Sequence, residues 1–197
     1  MTDIRKVFAM AAVAMALSAP TWADGVEAPA VGTSWGTKCT GNNAAERTWK
    51  VVRNDGEAVR IEAEDGSFAE APIWGWAMGF NTSNDFGSGK FLNEPEDDDL
   101  KKVATLEVGK SFAGYVRQTG PAGTNQHRYD VSIKERGQRE TPFGPVEAVK
   151  VVTTYGNNFW NATRTVWYAP ELKLAISNDF ESNRGQKSNC QVTTRPQ

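Results

Sequence analysis

The sequence contains a single histidine, His127, so any reaction that requires an imidazole depends on this residue. A hydrolytic triad needs a histidine next to its nucleophile. His127 lies in residues 124–128, a polar stretch that leads into an alternating segment. We therefore predict a solvent-exposed loop histidine and no hydrolytic site.

Two further stretches have residue types that bind phosphate or cations. Residues 87–90, Gly-Ser-Gly-Lys, resemble the end of a phosphate-binding loop but lack its first glycine and its final Ser or Thr. The acidic run at 97–99 lacks the alternating ligands and the central glycine of a calcium loop. The sequence thus predicts no metal, no cofactor and no catalytic residue, and we expect that the protein is not an enzyme.

The two cysteines, Cys39 and Cys190, lie near opposite ends of the chain. An even number of cysteines in an oxidising compartment favours a disulfide. Two buried free thiols or a shared metal are the alternatives, although no Cys-x-x-Cys spacing supports the metal. We expect a bridge that joins the first strand to the last.

Aromatic residues form the most unusual pattern in the sequence. In residues 73–80 large side chains alternate with mostly small ones, and as a strand this segment would place its large residues on one face. That row is either core or the lining of a groove for an apolar ligand or a carbohydrate. A second aromatic-rich segment, residues 159–168, could face it. The candidate ligand-binding residues are Trp74, Trp76, Met78, Phe80, Trp160 and Trp167.

The first 23 residues follow the pattern of a secretory signal peptide. Arg5 and Lys6 precede an apolar run over residues 7–17, and residues 21–23, Thr-Trp-Ala, offer a cleavage site after Ala23. The run is too short for a spanning helix, which needs about 20 residues. We predict a cleaved signal, a periplasmic location and no transmembrane anchor.

Removing those 23 of the 197 residues leaves 174, which is enough for a single domain over residues 24–197. This part has 20 basic and 23 acidic residues, because Arg5, Lys6 and Asp3 are removed. A mildly acidic surface of mixed sign argues against nucleic acid or an anionic membrane as a partner.

Apolar residues alternate with polar ones through most of the chain. Examples are Val59, Ile61 and Ala63, and a turn signal at residues 54–56, Asn-Asp-Gly, precedes them. The pattern predicts an all-β fold with an antiparallel curved sheet, arranged as a half-barrel or a sandwich. A short helix near residues 94–103 is one interpretation of the acidic stretch there, with Asn93 as its cap, and an acidic loop is the other.

A weak internal repeat suggests two related halves, over about residues 31–93 and 105–180. Residues 31–35, Val-Gly-Thr-Ser-Trp, are similar to residues 108–112, Val-Gly-Lys-Ser-Phe. Chance similarity is the alternative. If the repeat is real, the two halves share one core, because each half is small for independent stability.

Three segments of the second half resemble a family of exported bacterial β-rich proteins of unknown function. They are Val-Gly-Lys-Ser-Phe at 108–112, Thr-Pro-Phe-Gly-Pro-Val-Glu-Ala-Val-Lys-Val at 141–151 and Trp-Tyr-Ala-Pro at 167–170. The resemblance covers about residues 105–180. It implies a curved antiparallel sheet, similar to a half-barrel, and brings no activity or catalytic residue with it.

We expect a non-enzymatic periplasmic protein that binds an apolar or amphipathic envelope molecule on a curved sheet. The alternative is an envelope interaction or scaffold protein, whose partner is another envelope protein and whose aromatic residues fill its core. Binding of a ligand during purification would distinguish the first from the second.

Overall fold

The computed structural model describes residues 25–197. The signal peptide and its cleavage site after Ala23 lie outside the described residues and stay a prediction. Alternating sequence forms twelve strands because each strand buries one face. They are β1 (Ser34–Gly41), β2 (Ala45–Asn54), β3 (Ala58–Ala63), β4 (Phe68–Pro72), β5 (Ser83–Asp85), β6 (Phe91–Pro95), β7 (Ser111–Gly120), β8 (Gly123–Arg139), β9 (Val146–Gly156), β10 (Asn161–Ala169), β11 (Leu174–Ser182) and β12 (Lys187–Val192).

The strands form one antiparallel sheet in sequence order, and this sheet closes into a barrel because β1 pairs with β12. The prediction of an all-β antiparallel fold is confirmed. The predicted half-barrel or sandwich is replaced by a barrel that closes completely. Closure pairs the two strands that would otherwise be exposed edges. The contacts that close the barrel join strands at opposite ends of the chain. Alternation in the sequence predicts strands, but it does not indicate that β1 pairs with β12.

The predicted disulfide is present at this closing seam. Cys39 on β1 and Cys190 on β12 are direct cross-strand partners with a Cα–Cα distance of 4.0 Å. The bridge spans 151 residues of sequence. It therefore links the first strand to the last, as the sequence predicts.

The aromatic segment at residues 73–80 is not a strand, so that interpretation is wrong. After Pro72 the chain forms α1 (Ile73–Trp76) and then a tight turn, in which the amide of Phe80 donates to the carbonyl of Gly75 at 3.0 Å. A Cβ at Gly75 would lie 3.1 Å from Phe80, and Gly79 has a φ of +67°. Glycines at these two positions permit the turn, and a short apolar run alone does not distinguish it from a strand.

The helix predicted near residues 94–103 is a 3-10 helix at Asp99–Thr105. Its expected cap, Asn93, belongs instead to β6. Leu100 and Val103 of this helix are fully buried. They belong to the main core, and the helix contacts α1. A second 3-10 helix, Pro170–Leu172, connects β10 to β11.

One end of the barrel, here called the plug end, is closed by residues 25–33, α1 and the 3-10 helix at Asp99–Thr105. The amide of Val26 donates to the carbonyl of Ala104 at 3.1 Å. The indole Nε1 of Trp76 donates to the carbonyl of Lys173 at 2.8 Å. These bonds fix the three segments over the opening, the N-terminal one to the 3-10 helix and α1 to the connection between β10 and β11.

The opposite end, here called the hairpin end, consists only of the short connections between strands. These connections are residues 42–44, 64–67, 86–90, 121–122, 157–160 and 183–186. No helix of the described chain crosses this end.

The two similar segments found in the sequence have the same local backbone. The Gly32 amide donates to the carbonyl of Val51 at 2.9 Å, and the Gly109 amide donates to the carbonyl of Ile133 at 2.8 Å. In each case the strand that follows, β1 or β7, starts two residues later. The similarity thus corresponds to the same way of entering a strand, while the division into two related halves stays a prediction.

Candidate functional site

The structure brings together four of the six predicted ligand-binding residues at the plug end. Trp76, Met78 and Phe80 have exposed fractions of 8%, 2% and 3%, so they are core residues in this structure. Trp74 is half-buried and stacks on Phe80, with ring centroids 5.1 Å apart. Only Trp74 of this group has a face that a ligand can reach without rearrangement.

Trp167 does not join this group. Successive residues of a strand point to opposite faces, so Trp167 on β10 faces away from the interior that its neighbour Tyr168 faces. Trp167 packs in a small outer cluster with Val146, Ala148, Ala169 and Ile176. The guanidinium of Arg139 covers its ring at 4.3 Å, and 7% of the residue is exposed.

Trp160 is linked to Phe80 through two tyrosines inside the barrel. Ring centroids are 5.9 Å apart between Phe80 and Tyr129, 4.8 Å between Tyr129 and Tyr155, and 5.6 Å between Tyr155 and Trp160. The aromatic chain therefore runs along the interior from the plug end to the hairpin end. Neither tyrosine is among the residues predicted from the sequence to bind a ligand, although Tyr155 follows Val151 and Thr153 on the same face of β9.

His127 is not a solvent-exposed loop residue, so that prediction is wrong. It lies on β8, on the same face as Tyr129 and Val131, and only 6% of it is exposed. Its ring packs edge-on against Trp160 at 5.7 Å, and burial lowers its pKa. Its Nδ1 atom has no hydrogen-bond partner among the described residues.

The interior is not equally dry on all sides. On β7 to β9 inward-facing residues such as Val116, Val131 and Tyr155 are buried, whereas Gln118 and Asn125 near the hairpin end are not. On β10 to β12, β1 and β2, several inward-facing residues near the hairpin end remain half-buried. We call this set the half-buried inner wall: Thr37, Cys39, Arg47, Arg164, Asn178, Phe180, Ser188 and Cys190.

The register of the strands establishes which residues of this wall face inward. Arg164 on β10 is directly opposite Thr153 on β9 and Phe180 on β11. Cross-strand partners share a face of the sheet. Thr153 is 2% exposed, which identifies that face as the interior.

Arg164 is a guanidinium inside the barrel without a carboxylate partner in residues 25–197. It donates to the carbonyl of Gly79 and, at 3.4 Å, to the hydroxyl of Tyr155. Its Nε atom is buried and has no hydrogen-bond partner. The sequence signal was available, because Ala162, Arg164 and Val166 alternate and place one charge on an otherwise apolar face.

Two surface depressions lie outside the barrel interior. One, of about 270 Å³, is lined by Trp74 together with Glu96, Asp97 and Lys101. The other, of about 340 Å³, lies over β10, β11, β12 and β1 on the outer face. There Glu181 pairs with Lys187 at 2.7 Å, and Asp179 accepts a hydrogen bond from Asn189. The acidic groups in the second depression are therefore already satisfied within the protein.

Residues 25–197 contain neither a cluster of metal-ligating side chains nor a helix that could span a membrane. Within this range no three His, Cys, Asp or Glu side chains are grouped as a metal site would require. Nor is any helix of the range long and apolar enough to span a bilayer.

The barrel is similar in fold to the hypothetical lipoprotein YmcC from Escherichia coli. The TM-score is 0.56 at 8% sequence identity, over 86% of this chain and 90% of the YmcC chain. At this identity the similarity to YmcC shows the fold alone.

Two further structures show weaker similarity to the chain. A candidate exported protein with a YmcC-like fold from Bacteroides fragilis has a TM-score of 0.48 at 12% identity. The alignment covers 89% of this chain and 100% of the Bacteroides fragilis chain. A candidate lipoprotein from Parabacteroides distasonis has a TM-score of 0.43 at 10% identity, over 88% and 99% of the two chains. No known family and no curated protein matches the sequence.

Proposed function

We propose that the protein is a non-enzymatic periplasmic protein that binds an apolar or amphipathic envelope molecule. The binding site in this proposal is the hairpin end of the barrel. The observation that carries it is the half-buried inner wall, because inward-facing side chains that remain partly accessible leave room for a ligand beside them. A concave, mostly apolar surface with a few polar groups is typical of a small-molecule site.

Aromatic side chains at the same end support this choice. Trp160 is half-buried at the end of the interior aromatic chain, and the adjacent Phe159 is 82% exposed. Phe86, from the connection between β5 and β6, is 43% exposed and contacts Trp49 edge-on at 6.1 Å. These rings give an apolar ligand a surface on which to pack.

The proposed envelope location has three supports. The predicted signal peptide sends the chain out of the cytoplasm. The disulfide between Cys39 and Cys190 is stable in an oxidising compartment. The solved proteins of similar fold are described as lipoproteins or exported proteins, which agrees with this location.

The test compares two half-buried tryptophans at opposite ends of the barrel, Trp160 and Trp74. A fluorescent acyl probe is titrated into wild type, Trp160→Ala and Trp74→Ala. We expect the Trp160 variant to lose at least about tenfold in affinity, which corresponds to about 1.4 kcal/mol. The Trp74 variant should bind as the wild type does.

The result for each variant decides a separate part of the proposal. Loss of binding in Trp74→Ala alone would move the site to the plug end. No probe binding by the wild type, and no ligand in native mass spectra of protein purified from its host, would overturn the proposal.

The exposure of Phe159 favours a second candidate function, an envelope interaction protein that docks another protein with its hairpin end. Exposed aromatic residues are enriched at protein interfaces. If this is correct, the wild type captures a defined envelope protein and does not bind the acyl probe. Phe159→Ser should then abolish capture of that envelope protein. Unchanged capture by the variant would exclude docking through this residue.

A further inference from the structure

We infer that Arg164 binds the anionic group, a carboxylate or a phosphate, of an amphipathic molecule held at the hairpin end. This inference rests on the proposed function and names the chemical class of its ligand. It follows from the position of one positive charge inside the barrel.

Six other arginines of the described chain lie beside a carboxylate, and the three that do not, Arg139, Arg184 and Arg195, are exposed to solvent. Arg47 also faces inward, but its Nε lies 2.8 Å from Asp65. Arg128, on the outer face of β8, is paired with Asp130 at 2.9 Å. Arg164 contacts only a backbone carbonyl and a phenol, which are both neutral.

An arginine removed from water without a counter-charge is unfavourable unless its donors are satisfied. A guanidinium has five N–H donors and matches a carboxylate or a phosphate with two parallel hydrogen bonds. In Arg164 the Nε–H group is buried and has no partner in the described chain. An anion beside it would supply both the charge and the missing acceptor.

A second donor lies next to this group. Thr153 is directly opposite Arg164 on β9, and its buried hydroxyl also has no partner in residues 25–197. Side chains in such a pair start about 5 Å apart at their Cβ atoms. The Arg164 guanidinium and the Thr153 hydroxyl can therefore donate to the same anion.

Aromatic residues on the other side of Arg164 can pack against the apolar part of the ligand. Phe180 is its direct partner on β11 and is half-buried. Trp160 lies at the end of the aromatic chain that passes through Tyr155, the residue bonded to Arg164. The arrangement places a positive group deep on the wall, with aromatic surface between it and the opening.

The competing explanation is structural: Arg164 holds the turn after α1 through the carbonyl of Gly79. A structural role predicts loss of stability on substitution but no preference for charged ligands. The preference of the protein for an anionic over a neutral probe therefore separates the two explanations.

The experiment uses two fluorescent acyl probes that differ only in the head group, a free carboxylate and its methyl ester. The variants are Arg164→Gln, Arg164→Lys and the matched control Arg128→Gln. We expect wild type and Arg128→Gln to bind the carboxylate at least about tenfold more tightly than the ester, since one hydrogen bond to a charged group has this effect. In Arg164→Gln the preference should fall to about twofold or less, and Arg164→Lys should retain part of it.

The possible outcomes distinguish an error in the role of Arg164 from an error in the proposed function. Equal binding of both probes by the wild type overturns the role of Arg164 and leaves the proposed function intact. A preference that persists in Arg164→Gln does the same. If neither probe binds the wild type, the proposed function itself fails.

Two controls keep the test decisive. Urea unfolding shows whether Arg164→Gln is folded, and if it is not, Arg164→Lys and the probe preference of the wild type decide. In competition experiments, inorganic phosphate and acetate are each tested for displacement of the carboxylate probe and of a probe with a phosphate head group. The anion that displaces the probes more strongly identifies the preferred head group, phosphate or carboxylate. Anion binding is refuted if neither anion weakens the binding of the carboxylate probe and the wild type does not prefer this probe to the ester.

Discussion

The two ends of the barrel differ in how completely they exclude water. At the plug end Leu100 and Val103 are fully buried, and three segments of the chain cross the opening. At the hairpin end inward-facing residues such as Arg164 and Phe180 stay half-buried, and Phe159 is 82% exposed. The plug end is thus closed by packed apolar side chains, whereas the hairpin end stays accessible.

The charges of the connecting segments follow the same division. The hairpin-end connections contain two acids, Glu64 and Asp65, and two bases, Lys90 and Arg184. At the plug end residues 96–110 alone carry five acids and three bases. A nearly neutral end with exposed aromatic rings suits an apolar partner, whereas a charged end stays solvated.

The largest effect is expected for the disulfide. Replacing Cys39 and Cys190 together with serine removes a constraint on a loop of 151 residues. In the chain-entropy model such a loop contributes up to about 5 kcal/mol to the free energy of unfolding. Urea unfolding measures the total, and hydrogen exchange should increase most in β1 and β12 near the hairpin end. A loss below about 1 kcal/mol would show that strand pairing alone closes the barrel.

A pair of tryptophans tests the contrast between the two ends directly. Trp76→Ala removes a ring that is 8% exposed, together with its hydrogen bond to Lys173, and should cost about 3–5 kcal/mol. Trp160→Ala removes a half-buried ring at the hairpin end and should cost about 1–2 kcal/mol. Both values come from urea unfolding. Equal losses would contradict the difference in packing between the ends.

A smaller effect is expected for the bond that holds the N-terminal segment on the plug end. The hydroxyl of Tyr168 donates to the carbonyl of Glu27 at 2.6 Å and accepts from its amide at 3.0 Å. Burial raises the pKa of Tyr168 to about 12, so the hydroxyl stays protonated at neutral pH. Tyr168→Phe should lose about 1–2 kcal/mol of unfolding free energy and expose amides 25–33 to exchange. Unchanged exchange there would mean that this segment is held by other contacts.

The smallest effect concerns pH and the hairpin end. Burial lowers the pKa of His127 below its ordinary value of 6.5. Between the two pKa values the unfolded chain binds more protons than the folded chain, so the free energy of unfolding decreases as the pH falls through about 6.5. His127→Gln removes this slope. Urea unfolding at several pH values from about 7.5 to 5 measures it, and an identical slope in the variant would assign it to other groups.

Local sequence signals predicted the strands well where one face is buried. Val59 and Ile61 alternate in the sequence and are buried on β3, and the Asn-Asp-Gly turn at 54–56 connects β2 to β3. The disulfide was predictable because a pair of cysteines in an exported chain has few other uses. These features depend on neighbours in sequence or on composition.

What escaped prediction depends on contacts between distant parts of the chain. Closure of the barrel pairs β1 with β12, and no local pattern encodes that pairing. His127 is a polar residue on an inward face, so its burial becomes visible only once the barrel is assembled. The segment at 73–80 was assigned as a strand because alternation of large and small residues outweighed two glycines that permit a turn.

The pairing of β1 with β12 also has a consequence in time. A chain made from its N-terminus completes β1 long before β12 exists, and at 5–20 residues per second the 151 residues between the cysteines take about 8–30 s. During that interval the nascent β1 edge is unpaired and the Cys39 thiol waits for its partner. The closing seam and its disulfide are therefore among the last contacts that a chain emerging from its N-terminus can form.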